Sequence, residues 1–176
     1  MKYRKTIIAS GIVVLSLSAI TLGYITFDAK DDVTIKESRK ITNNETWPVI
    51  EIDEVRTMSV EEEFPSAMPE YIIQEALHGM SHQKVHAEDK WGFLPMTQDR
   101  INRLIVVVEE SRSKYGESKL YLEILNRWVD NDFSQADKDH NAIWKLQLGT
   151  VGKASGLLSA DEERAFIKEH FEIENE

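Results

Sequence analysis

From Pro69 to Phe171 the chain repeats one pattern: a residue suited to start a helix, then apolar side chains at three- and four-residue spacing, then a break. Apolar residues at that spacing line one face of an α-helix, so the pattern predicts an all-α fold, a compact bundle of about five short helices. Pro69 and Glu70 suit the first turn of a helix running to about Ala87, since proline there loses no useful N–H and an acid meets the positive dipole end. Thr97 can cap a second helix, with Ile101, Leu104, Ile105 and Val108 on one face and an end near Tyr115-Gly116. Ser118 can open a third, whose wide apolar arc (Leu120, Ile124, Leu125, Trp128, Val129) predicts a central position. Ser134 with Asp137 opens a fourth that ends at Gly149, and Ser159 with Glu162 is a capping box for a fifth.

Much of the apolar content lies elsewhere. Thr6 to Phe27 holds no charged residue and has the roughly 20-residue length a bilayer-spanning helix needs. Lys2, Arg4 and Lys5 precede it and Asp28, Asp31 and Asp32 follow, which by the positive-inside rule leaves residues 1–5 as a cytoplasmic tip and exports the rest. The expected location is therefore the cell membrane, single-pass, with an extracytoplasmic C-terminal domain. A cleaved signal peptide is the alternative, since Ser16 and Ser18 are small residues suitably spaced for a peptidase, but its apolar region is usually only about 7–15 residues.

All 31 acidic residues follow Phe27, whereas three of the 21 lysines and arginines precede it, so the exported part is more acidic than the net −10 of the whole chain. Such a domain repels polyanions and excludes a nucleic-acid partner or a direct grip on anionic lipid. With no cysteine, disulfides, thiolate nucleophiles and cysteine metal ligands are excluded together. Residues 28–68 are dense in charge and poor in apolar period, and read as an acidic extracytoplasmic linker to a helical domain at 69–176. Within that linker Ile50 and Ile52 alternate with acids, the pattern of a short strand over Trp47 to Val55, although a lone strand has nothing obvious to pair with. The acids Glu61 to Glu63 read as a solvated lead-in.

The stretch from Tyr71 to Trp91 carries the only hint of chemistry, His78, His82 and His86 at four-residue spacing. On a continuous helix they fall opposite the stripe formed by Ile72, Ile73, Ala76, Leu77 and Met80, with Glu75 among them. Neighbours four residues apart are about 6 Å apart along the axis, close enough to share a zinc ion, but the outer two are about 12 Å apart. One ion can therefore take only a pair, His78/His82 or His82/His86, with a third ligand from Glu75 or from another segment such as His140. The metalloprotease signature also needs glutamate directly after the first histidine, where this chain has Gly79. His140 lies between Ala136, Ile143 and Trp144 and His170 beside Phe166 and Ile167, so both point to the apolar side of their helices. The competing readings of the row are a solvated polar face and a proton-sensitive contact surface, since histidine titrates near pH 6.5.

Other groupings carry less. Asp130, Asp132, Asp137 and Asp139 lack the glycine and glutamate of an EF-hand and read as helix-capping acids. TVGKASG lacks phosphate-loop spacing and reads as a connector, and Trp91, Trp128 and Trp144 read as core anchors.

The segments HGMSHQKVHAEDKWG, LYLEILNRWVDNDFS, DHNAIWKLQLGTVGKASGLLS and EERAFIKEHF resemble a family of uncharacterised membrane-anchored proteins of spore-forming Gram-positive bacteria, over roughly Pro65 to Phe171. The resemblance implies a short cytoplasmic tip, one span and an extracytoplasmic domain of unknown function. It implies no catalytic residues. Without a complete catalytic motif, the expected function is non-enzymatic: a membrane-tethered helical domain, without cofactor, that binds a partner protein or an envelope component. The alternative is a zinc-binding module, or a metal-dependent hydrolase, built on the histidine row.

Overall fold

A computed structural model describes residues 32–42 and 45–173. The expected anchor, Thr6 to Phe27, lies outside the described residues; among those described, no helix is long and apolar enough to cross a membrane.

The fold is not all-α, and the acidic linker is not a tether. Strand β1 (Asp32–Thr42) pairs antiparallel with β2 (Glu45–Glu54), with Ile35 opposite Ile52 and Glu37 opposite Ile50. A third strand, β5 (Glu172–Ile173), runs parallel to the start of β1. One face of this sheet is apolar: Val33, Ile50 and Ile52 are buried against Phe166, Ile167 and Phe171. The other face is solvated, and there the polar side chains that disguised the strands meet one another: Lys36 pairs with Asp53, and the Ser38 hydroxyl donates to Glu51. The strand suggested by Ile50 and Ile52 thus finds its partner in the polar stretch before it.

After β2 comes a single turn, α1 (Val60–Glu63), opened by a Ser59–Glu62 capping box. Its last acid is no solvated lead-in. Glu63 binds Arg56 and the buried Arg100, which also reaches Glu54, so four charges tie the end of β2 to the start of α3 (Gln98–Glu110). Between these lies α2 (Glu70–Ser81), and after α3 follow α4 (Ser118–Val129), α5 (Ala136–Leu146) and α6 (Ala160–His170). The main core joins Ile73, Leu77 and Met80 of α2 to Leu104 and Val108 of α3 and to Leu125 and Trp128 of α4. Thr97 caps α3 as its position predicts. The Ser159–Glu162 capping box opens α6, and Ser159→Ala is expected to cost about 1 kcal/mol, read as a lower thermal midpoint with unchanged circular dichroism at 20 °C.

The first helix is shorter than its periodicity predicts. It ends at Ser81, passes into a 3₁₀ turn at His82–Lys84, and then forms β3 (Val85–His86), paired antiparallel with β4 (Gly156–Leu157). The turn draws the Lys84 ammonium inward to Glu163 and to the carbonyl of Ile50, a placement that a straight continuation of α2 does not provide.

Candidate metal centre

Ending α2 at Ser81 breaks the histidine row. His78 stays on the last turn of the helix, His82 begins the 3₁₀ turn, and His86 leaves on β3, exposed and 3.5 Å from Glu162 in the first turn of α6. Glu75 is exposed on α2 and stands apart from the other two. The face expected to be solvated is instead covered by α5, which brings His140 against His78 and His82. The three offer ligand nitrogens that all lie within 4.8 Å of one another, and among the described residues this is the group so placed. Ring centroids are 4.5 Å apart for His78 and His140, 4.8 Å for His78 and His82, and 5.4 Å for His82 and His140.

What each ring does with its other nitrogen decides the chemistry. His82 Nδ1 lies 2.8 Å from the carbonyl oxygen of Gly92; a carbonyl only accepts, so Nδ1 carries the hydrogen and Nε2 of the neutral ring keeps its lone pair. His140 Nδ1 lies 3.3 Å from Asn141 Oδ1. The Asn141 amide is itself fixed, because Oδ1 accepts from the Ala154 N–H at 2.8 Å and Nδ2 donates to the Ala154 carbonyl at 3.0 Å. His78 Nδ1 meets Gln147 Oε1. In this arrangement all three Nδ1 atoms donate and all three Nε2 atoms are acceptors. Yet Nε2 of His78 and Nε2 of His140 are only 3.0 Å apart. Two lone pairs at that distance repel unless a cation lies between them or one ring changes tautomer. Gln147 is the adjustable partner, since turning its amide would let His78 carry its hydrogen on Nε2 and donate to His140.

Burial keeps the rings neutral, the form that binds metal. Desolvation is the main cause throughout: it lowers His78 and, aided by the positive charge of neighbouring groups, brings His82 down to about 3 and His140 to about 4. Lys90 is one of those neighbours. Its ammonium donates to the His82 carbonyl at 2.9 Å and lies over the Phe166 ring at 4.4 Å, and burial lowers it to about 8.

The local backbone is built around these contacts. Gly79 faces the segment that supplies Gly92: a β-carbon there would lie 3.4 Å from Leu94 Cβ and 3.5 Å from the Gly92 oxygen. Both are ordinary contact distances, so Gly79 lets α2 lie closely against this segment. Gln147 ends α5 and is followed by Leu148 with φ at 57°, a conformation that costs a side-chain-bearing residue roughly 1–2 kcal/mol and turns the chain sharply just after the residue bound to His78. At Gly152, φ is 79° and a β-carbon would lie 2.4 Å from the Asp89 oxygen, so the TVGKASG connector is held against the loop before Gly92.

Of the sequence candidates, then, His78, His82 and His140 are brought together, while Glu75 and His86 are not. His170 lies elsewhere, stacked on Phe93 at 4.0 Å. Asp139 supports the core by accepting from Trp128 Nε1 at 3.0 Å and pairing with Arg127. Gln147, Asn141, Gly92 and Lys90 had no signal in the sequence beyond Asn141 adjoining His140.

A family of unknown function (DUF6241) matches residues 77–168, a span that includes all three histidines and both Asn141 and Gln147. No curated protein and no solved structure matches the chain.

Proposed function

The chain belongs to the DUF6241 family of unknown function, and we propose that it is a divalent-metal-binding domain in which His78, His82 and His140 hold one zinc-like ion. The observation that carries this reading is the convergence of three neutral imidazoles, His82 and His140 buried and His78 half-buried, each with its other nitrogen against an oxygen. This is the orientation that outer partners impose on metal-binding histidines. For tetrahedral zinc with Zn–N of about 2.0–2.1 Å, ligand nitrogens stand about 3.3 Å apart. The trio stands no more than 4.8 Å apart, within about 1.5 Å of that separation. Three protein ligands leave a fourth position for water or an outside donor, and the ion would supply a Lewis-acidic centre there while joining α2 to α5.

The full-length chain freed of metal with a chelator and titrated with zinc is expected to take up one ion and to unfold at a higher temperature once loaded. Absence of any uptake, with an unchanged midpoint, overturns the reading.

Partner binding is a second reading, supported by two large apolar side chains beside the residues that orient the histidines: Trp91, before Gly92, is 71% exposed and Leu148, after Gln147, is 85% exposed. Cross-linking in native membranes that recovers the same partner with the natural chain and with Trp91→Ser/Leu148→Ser counts against that surface. The uncharged run Thr6 to Phe27 supports single-pass anchoring with the domain outside; a reporter fused after Glu176 and active only in the cytoplasm would reverse that orientation.

A further inference from the structure

Away from the histidines, a cavity of about 470 Å³ opens between β2, the α4–α5 connection and the start of α6. Its size is that of a small-ligand site. Pro48, Val49, Phe133, Leu157 and Leu158 make most of the wall apolar, while Lys84 and Glu163, both buried, also line it. An ion pair in such a place is costly, since apolar residues of equal volume usually serve stability as well or better. That expense points to a role beyond holding the fold.

The polar inventory indicates what the cavity would accept. Lys84 commits its three ammonium hydrogens within the protein, to Glu163, to the Ile50 carbonyl at 3.0 Å and to the face of the Phe133 ring, 4.0 Å from its centre. Lys40, at the rim, donates to the carbonyl of Asp130. The carboxylates are used on one side only. Glu163 receives both Lys84 and Gln83 at Oε1, and Asp132 receives the Ser134 amide at 3.2 Å and its hydroxyl at 2.7 Å, both at Oδ1. Glu163 Oε2 and Asp132 Oδ2 take no part in these bonds. An incoming molecule therefore meets spare acceptors where the donors, Lys84 and Lys40, are engaged.

We infer that this cavity binds a small organic ammonium ion with an apolar body, the amine meeting Glu163 and Asp132 and the body lying between Phe133, Leu157 and Leu158. Histidine ligation of a metal plays no part in it.

Calorimetric titration of the full-length chain with 2-phenylethylamine, 2-phenylethanol and 3-phenylpropanoate tests the assignment, because the three share a body and differ in head group. The amine is expected to bind one to one, with the alcohol and the carboxylate at least about tenfold weaker. Asp132→Asn, at the rim, is expected to weaken the amine several-fold, and Leu157→Trp, at a position 40% exposed, to block it while the fold is retained. The inference is overturned if the amine gives no saturable heat up to about 10 mM, if the carboxylate binds as tightly, or if Leu157→Trp, still folded by circular dichroism, binds the amine undiminished.

Discussion

Replacing His140 with glutamine is expected to weaken zinc binding by more than about 100-fold, whereas His86→Gln leaves it unchanged. Glutamine fills similar space but gives up the imidazole nitrogen that stands 3.0 Å from His78. Gln147→Leu is the graded case: loss of an outer hydrogen-bonding partner typically costs roughly 10- to 100-fold in metal affinity, so its effect should fall between the other two. Competition against a chromogenic chelator measures all three. Wild-type affinity in His140→Gln would dismiss the three-histidine assignment, and an equal loss in His86→Gln would place the ion near β3 instead.

The same histidines set the response of the metal-free chain to acid. Their folded values lie below the unfolded value of about 6.5, so the unfolded chain takes up protons first as pH falls. Their contribution to stability is therefore whole above about pH 6.5 and drains away on acidification toward the folded values, about 4 for His140 and about 3 for His82. Each proton taken up only by the unfolded chain gives a slope of about 1.4 kcal/mol per pH unit. Urea unfolding with chelator present, at half-unit steps from pH 7.5 to 4.5, should show that loss, and His82→Gln should flatten it. An equally steep profile in His82→Gln would remove His82 from the acid response.

The parts of this architecture that were legible in the sequence are those set by near neighbours in the chain. Thr97 and the Ser159–Glu162 box cap helices because the bond from side chain to backbone spans three residues. The hairpin was hidden for the opposite reason. Among the described side chains of the first strand only Val33 is fully buried, and the residues that bury it, Phe166, Ile167 and Phe171, lie far along the chain. A polar composition over 28–68 says nothing of such a partner. His140 could be read as facing inward from its helix neighbours Ala136, Ile143 and Trp144. His82 was misplaced because extending the helical period to Ala87 assumed no turn at Ser81, and because the cover supplied by α5 and the segment around Gly92 arises only from tertiary packing. Gln147 stood at the end of a helix like any surface amide, and its contact with His78 depends on how α2 crosses α5.

Lys84→Met should be among the most damaging single substitutions, lowering stability by about 3–5 kcal/mol, because it strands a carboxylate away from water. Glu163 is 6% exposed and Lys84 is 4% exposed. Burial raises the first and lowers the second, and the opposite charge of each partner works against that shift in the other. Glu163→Leu strands the ammonium and should cost a similar amount. With both groups removed, in Lys84→Met/Glu163→Leu, neither penalty remains and the apolar pair adds to the contacts around Phe133; stability is expected to return to within about 1–2 kcal/mol of the natural chain. Urea unfolding of the four proteins at pH 7 closes the cycle, and single variants as stable as the natural chain would mean that the pair is not coupled. The double variant also divides stability from recognition. A chain that folds well without Lys84 and Glu163 yet no longer favours 2-phenylethylamine over the alcohol would show the carboxylate to be kept for its ligand, since the fold itself can do without the pair.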